Sequence, residues 1–416
     1  PADVFADPQQ PPPKVLVSPQ RYIQGPGVIK RLASYLSLLN VKSAGLLVSE
    51  RGLATQGAVV LDRLKTAGIE GLSARFNGEC SRPEIEMHVE HFRPLQIGCL
   101  IAAGGGKVID AGRAIAHRLS VPVVVVPTLA SNDAPCSALS VIYTQEGVAD
   151  SVEFYPVNPA LVVVDTDVIT KADERFLVAG IGDAMATWYE ARVCQNNPRA
   201  RTSLGVRPTI TACAIGEACA HTLYEFGEKA AASVSKNIND DAVERVVEAN
   251  TLMSGVGFES GGLALAHALA LSFTEITSVH DQYLHGEMVA MGTMAQLAME
   301  KSADARKAAI FFAKVGLPIH LGQLSLSPKN HKELDVISAA AEARPIAHNM
   351  PMAVTHSRIL YPTQCRQFMR ARNTQPTKGR HAHHTRHATR HQKLKCSTRS
   401  QAHSGAIVTR RQRERE

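Results

Sequence analysis

Up to residue 165, short apolar or β-branched runs alternate with helix-length amphipathic segments, the pattern of a parallel sheet wrapped by helices. The strands this predicts are Gly45 to Ser49, Ile97 to Ala103, Val121 to Val126, Leu139 to Tyr143 and Leu161 to Asp165. The run Val123-Val124-Val125-Val126 is apolar at every position, as a strand covered on both faces should be. Beyond Asp165 the strand-like runs stop. Ala-rich stretches of helical period replace them, at Ala184 to Val193, Ile210 to Glu225 and Ala242 to Met253. Gly255, Gly257, Gly261 and Gly262 interrupt that pattern before a further helix from about Leu263. From Val354 onward no apolar period is sustained, and Arg, His, Thr and Gln dominate. The pattern divides the chain into a Pro- and Gln-rich flexible leader over 1–14, an α/β domain over 15–165, a helical domain over 166–353 and a tail over 354–416 that is expected to be disordered.

Composition narrows the function classes. With 416 residues, 45% of them hydrophobic, the chain can bury a full core. The most apolar helical stretch, Leu263 to Phe273, is short and carries His267, so no membrane span is expected. Eight cysteines without a CxxC pair read as reduced thiols in a cytoplasmic protein. The net charge of +7 invites a nucleic-acid reading until it is located. From Val354 onward 15 Lys and Arg face two acids, so the tail carries about +13 and the body about −6. Such a tail would give only salt-sensitive, non-specific attraction, and no specific nucleic-acid partner is expected.

Three groups of residues carry chemistry. The run ending at Ala103 passes directly into Gly104-Gly105-Gly106-Lys107, and a helix-like segment follows with Asp110 in its first turn. Glycines at such a junction let backbone N–H groups and a helix N-terminus approach a phosphate, though an ordinary glycine turn reads the same way. The second group, residues 128–134, also follows a buried strand. Asp133 there could orient a polar substrate, or with Asn132 simply cap a turn. Asp183, His267 and His285 form the third: one carboxylate and two imidazoles suit a catalytic Zn²⁺ with an open position, while each alone also reads as a structural side chain.

Taken together these segments resemble the glycerol dehydrogenase family of metal-dependent alcohol dehydrogenases. The match runs from about residue 18 to 351 and includes Ser18 to Gly25, Gly104 to Asp110, Thr128 to Thr144, Gly180 to Ala184, Glu248 to Asn250, Gly257 to Glu259, His285 to Glu287 and His348 to Pro351. The resemblance implies a Rossmann-like α/β nucleotide-binding domain followed by an all-α domain, the dehydroquinate synthase-like architecture, with the active site between them. It implies that Asp183, His267 and His285 hold one Zn²⁺ and contact the substrate, with Asp133 beside the polyol and the nicotinamide. It assigns NAD contacts to Glu50, Gly105, Gly106, Lys107, Asp110, Thr128, Ser131, Ser137, Leu139 and Tyr143. The implied reaction is reversible oxidation of glycerol to dihydroxyacetone, by hydride transfer from C2 of the zinc-bound alkoxide to NAD, in a homo-oligomer read as an octamer.

Other readings remain: a different small polyol or hydroxyketone as substrate, a dehydroquinate-synthase-like lyase, or an impaired body with a nucleic-acid-binding tail. Iron-using relatives carry a histidine four residues after the aspartate, and Thr187 stands there instead, which favours zinc. Arg51 beside Glu50 bears on the choice of NAD over NADP. Where the family follows its first zinc-binding histidine with a second histidine and an asparagine, this chain has Ala270 and Leu271, so His267 is expected to lack a supporting partner. The tail is expected to leave apolar surface on the helical domain uncovered.

Overall fold

A computed structural model describes residues 2–5, 7 and 9–359. Six strands form one parallel sheet: β1 (Tyr22–Gly25), β2 (Ser43–Ser49), β3 (Glu70–Phe76), β4 (Cys99–Gly104), β5 (Val123–Pro127) and, after a hairpin, β8 (Leu161–Asp165). Their spatial order is β1-β8-β5-β4-β2-β3. Side chains alternate between two cores. Val123, Val125, Val162 and Val164 point to one, and Val124, Val126, Leu161 and Val163 to the other. That is why the all-apolar signal in β5 is so clean.

The predicted strand at 139–143 exists but does not join this sheet. It is β6 (Leu139–Tyr143), antiparallel to β7 (Ala149–Phe154) in a separate two-stranded ribbon. Its half-buried pattern belongs to a ribbon with one face covered. Three strands went unpredicted. β1 has four residues, all half-buried; β3 and β7 alternate polar and apolar at exposed positions. None carries the continuous apolar run by which interior strands are recognised.

Helices α1 (Ala58–Thr66), α2 (Arg82–Phe92) and α3 (Gly106–Leu119) flank the sheet. The rest is helical: α4 (Glu174–Asn196), α5 (Ile210–Val234), α6 (Asp241–Glu248), α7 (Ser254–Gly261), α8 (Leu265–Phe273), α9 (His285–Met299), α10 (Ala305–Val315) and α11 (His331–Ala343). A π-turn at Ala249–Met253 joins α6 to α7. One core runs from the sheet into these helices, and no single described helix is long and apolar enough to cross a membrane.

Both proposed ends of the fold are tied further than the pattern suggests. The Pro13 carbonyl accepts from the Arg207 amide, and the Val17 amide donates to Ser260 Oγ. Val354 and Ile359 are 2% and 1% exposed, and the His356 amide donates to Glu342. The first residues assigned to the tail therefore pack on the helices and cover apolar surface there. The remainder of the expected disordered tail, with most of its basic charge, lies outside the described residues.

Candidate active site

Strand β2 leads on to β3 at one side of the sheet and β4 to β5 at the other, so a crevice opens beyond the carboxyl ends of β2 and β4. A cavity of about 500 Å³ occupies this place, with Glu50, Arg51, Arg75, Gly105, Gly106 and Lys107 on its wall. Gly105 is the N-cap of α3, so the helix begins at the cavity. A Cβ on Gly106 would stand 3.0 Å from the Asn132 amide nitrogen, which keeps the turn free of side chain where the next loop approaches. The Thr128 amide donates to the Gly104 carbonyl at 3.0 Å, linking the two strand exits. Lys107 is ion-paired with Glu79 and lies 5.3 Å from the Tyr143 ring centroid. Arg75, which sequence inspection does not single out, pairs with Glu50 at 2.9 Å.

Of the expected cofactor contacts, Glu50, Gly105, Gly106 and Lys107 therefore share one cavity. Thr128, Ser131, Leu139 and Tyr143 are half-buried and off its wall. Asp110 and Ser137 are buried, off that wall, and engaged by protein groups, the Ser137 hydroxyl by Arg113 and the Ala134 carbonyl. One Asp110 oxygen pairs with buried Arg113 and the other accepts from the Val141 amide, while Arg113 also donates to the carbonyls of Ala134 and Ser137. This pair fastens the β5–β6 connection to α3.

The three residues expected to hold a metal converge. Asp183 lies midway along α4, His267 in the first turn of α8, and His285 is the first residue of α9. Their ligating atoms all fall within 4.8 Å of one another. Glycine makes this approach possible. A Cβ on Gly286 would sit 1.8 Å from the Ala179 carbonyl oxygen, and one on Gly182 would sit 2.3 Å from the Gly286 carbonyl oxygen, so α4 and α9 touch backbone to backbone beside the ligands. Glu287 holds the start of α9: one oxygen accepts from the Leu284 amide, and its carboxylate pairs with Arg175 on α4 at 2.7 Å.

Asp183 Oδ1 is 3.2 Å from His267 Nε2 and 3.6 Å from His285 Nε2. Ligands at zinc bond lengths in a tetrahedral site stand about 3.3 Å apart, so the donor set fits that ion. Asp183 is fully buried, whereas the His285 side chain is 37% exposed, which leaves one side of the cluster accessible. Burial raises the Asp183 pKa, but His285 and His267 outweigh it and hold the carboxyl below its usual value. Burial pulls His267 down, but Glu190 and Asp183 hold its pKa well above the ordinary imidazole value. For His285 burial prevails over the attraction of Asp183 and lowers it.

The expectation that His267 lacks a supporting partner is overturned. Its Nδ1 lies 2.5 Å from Glu190 Oε2, supplied by α4 rather than by its own helix. Glu190 follows Asp183 by seven residues, two helical turns along the same face. That spacing was present in the sequence but carried no sign that α8 would cross there.

The loop after β5 reaches the cluster. The Asp133 amide donates to Asp183 Oδ2 at 3.2 Å, and Ser254 Oγ donates to Asp133 Oδ2 at 3.1 Å. Thr187 Oγ1 is 2.8 Å from Ser254 Oγ, so its hydroxyl completes a chain to Asp133. Burial first, and the Asp183 carboxylate second, push the Asp133 pKa well up. Asn250, in the π-turn, donates to the carbonyls of Ala130 and Leu177 and fixes this loop to α4. Asn349 donates to the carbonyls of Arg201, between α4 and α5, and of Leu263, just ahead of α8. Both asparagines stand in motifs that sequence alone left without a role.

Residues 19–166 match the iron-containing alcohol dehydrogenase family. A glycerol dehydrogenase of Escherichia coli is 43% identical over 350 residues, 83% of this chain and 94% of that protein. One from Citrobacter freundii is 41% identical over 356 residues, 83% of this chain and 96% of its own. The crystal structure of glycerol dehydrogenase from Schizosaccharomyces pombe superposes with a TM-score of 0.80 at 37% identity, covering 84% of this chain and 89% of that one. On that identity, sustained through both the sheet and the helices, the chain belongs to the glycerol dehydrogenase family of iron-containing alcohol dehydrogenases.

Proposed function

We propose that the protein oxidises glycerol to dihydroxyacetone with NAD, using Zn²⁺ held by Asp183, His267 and His285. The observation that carries this reading is the convergence of those three donors at one point, next to the loop from β5 and on the same side of the sheet as the glycine turn. When bound, the ion supplies Lewis acidity that lowers the pKa of an alcohol hydroxyl. Asp183 and the two imidazoles hold that ion in place, and the exposed side of His285 admits the polyol. Asp133 binds a second hydroxyl through the oxygen that Ser254 leaves free and so orients C2 toward the nicotinamide. The turn at Gly105 and Gly106 receives the diphosphate at the start of α3, with Lys107 adding charge, and Glu50 faces the adenosine ribose. Thr187 is committed to Ser254, which leaves three protein donors and favours zinc over iron. All six described cysteines are free and buried, which suits a cytoplasmic setting.

Steady-state kinetics with NAD over a panel of small alcohols tests the substrate assignment. Glycerol and other vicinal diols should give kcat/KM at least tenfold above that of a monohydric alcohol of similar size. Equal values across the panel would refute a role for Asp133 in binding a second hydroxyl.

A further inference from the structure

We propose that Glu190 is a positioning residue for the metal site: its carboxylate keeps the proton of His267 on Nδ1 and thereby presents the Nε2 lone pair to the ion. The inference rests on the reading of Asp183, His267 and His285 as metal ligands and concerns a residue outside that set.

Glu190 is wholly buried, and its two oxygens have different partners. Oε2 lies 2.5 Å from His267 Nδ1. Oε1 accepts from the backbone amides of Ala264 and His267 at 2.8 and 2.9 Å. A carboxylate only accepts, so the ring nitrogen facing it carries the hydrogen. The other nitrogen, Nε2, faces the Asp183 carboxylate at Oδ1 and carries the second hydrogen of the metal-free ring, the one an ion would displace while Glu190 retains the hydrogen on Nδ1. The Oε1 contacts do a separate job. Ala264, the N-cap of α8, has no side-chain acceptor, and Glu190 satisfies amides at that helix start from across the packing interface. One side chain thus fixes both the backbone from which His267 projects and the orientation of its ring.

These two jobs can be separated. In Glu190→Gln the amide oxygen can replace Oε1 and continue to accept from both backbone amides, which places the NH₂ group against Nδ1. A donor there forces the hydrogen onto Nε2, the nitrogen that must face the ion. The reverse amide orientation would set NH₂ against two N–H donors and lose both bonds.

The test is Zn²⁺ affinity of the chelator-treated full-length chain, measured by competition with a chromophoric chelator. It is read beside NADH binding, thermal melting of the metal-free protein and the visible absorption of the Co²⁺-loaded form. Glu190→Gln should melt cooperatively and bind NADH within twofold of wild type. Its Zn²⁺ affinity should fall by about 10- to 100-fold, with an altered Co²⁺ spectrum. A folded Glu190→Gln protein with wild-type Zn²⁺ affinity would reduce Glu190 to a helix cap and overturn the proposal. Should the variant fail to fold, ¹⁵N-histidine NMR of the zinc-loaded wild type decides instead. The ring signal missing from His267→Gln should show hydrogen on Nδ1; hydrogen on Nε2 would overturn the inference. A wild-type chain that binds no Zn²⁺ would overturn the metal-site reading itself.

Discussion

At the residue scale the site is governed by how little room its backbone leaves. Gly286→Ala would place a methyl group 1.8 Å from the Ala179 carbonyl oxygen, a contact no rotamer relieves because the Cβ position is set by the backbone and its partner is a backbone atom. The expected loss of stability is above about 3 kcal/mol by chemical denaturation, together with loss of Zn²⁺ binding as α9 is forced from α4. His267 gives a pH prediction. Its pKa in the metal-free fold stands above the unfolded value, so its contribution to stability is full below about pH 6.5 and is lost as pH rises through the folded value. On the proposed site, Zn²⁺ would have to displace that proton. The rise in melting temperature on adding Zn²⁺ should therefore be larger at pH 8 than at pH 6, and an equal rise at both would contradict it. Chemistry at this scale was partly legible: Asp183, His267, His285 and Asp133 stood out by type and motif. Glu190 did not, because its function depends on a helix 77 positions further along the chain crossing its face.

At the scale of elements, the connections after β2, β4 and β5 shape the cofactor side. Interior strands were recognisable from their unbroken apolar runs, whereas edge strand β3 and ribbon strand β7 were not, since exposure leaves them free to carry charges. The misplacement of β6 has the same origin: alternation identifies a strand but not its partner. The family resemblance assigns Asp110 to the cofactor. The structure instead commits both its oxygens to protein groups, Arg113 and the Val141 amide. Asp110→Asn should accordingly lower stability by about 3 kcal/mol, the cost of breaking a buried ion pair, while changing NADH affinity by less than threefold. A normal melting curve with NADH binding abolished would restore Asp110 to the cofactor site. The Asn250 bonds to Ala130 and Leu177 make the π-turn a clamp on the β5 loop. Asn250→Ala should lower kcat by tenfold or more while leaving NADH affinity near wild type, because Ala130 lies on the loop that carries Asp133.

At the scale of the molecule, sheet and helices share one core, and the bonds of residues 130–133 to α4, the π-turn and α7 bring the loop after β5 to the Asp183 cluster. The two-layered pattern of the sequence foretold a sheet-bearing part and a helical part. It could not foretell where they meet, because that junction is made by backbone carbonyls and amides that any residue type supplies. The chain's hydrophobic pattern ended at 353, yet Val354 and Ile359 are buried, since two apolar residues in a polar stretch are too few to register as a period. The central claim is that Asp183, His267 and His285 hold a metal required for alcohol oxidation. Its most direct test is NADH formation from glycerol and NAD, followed by absorbance, in untreated, chelated and Zn²⁺-restored full-length protein beside Asp183→Ala. Activity that disappears on chelation, returns with Zn²⁺ in the wild type and never appears in Asp183→Ala is the predicted result. Glycerol oxidation that survives complete metal removal, or that persists in Asp183→Ala, would contradict the account.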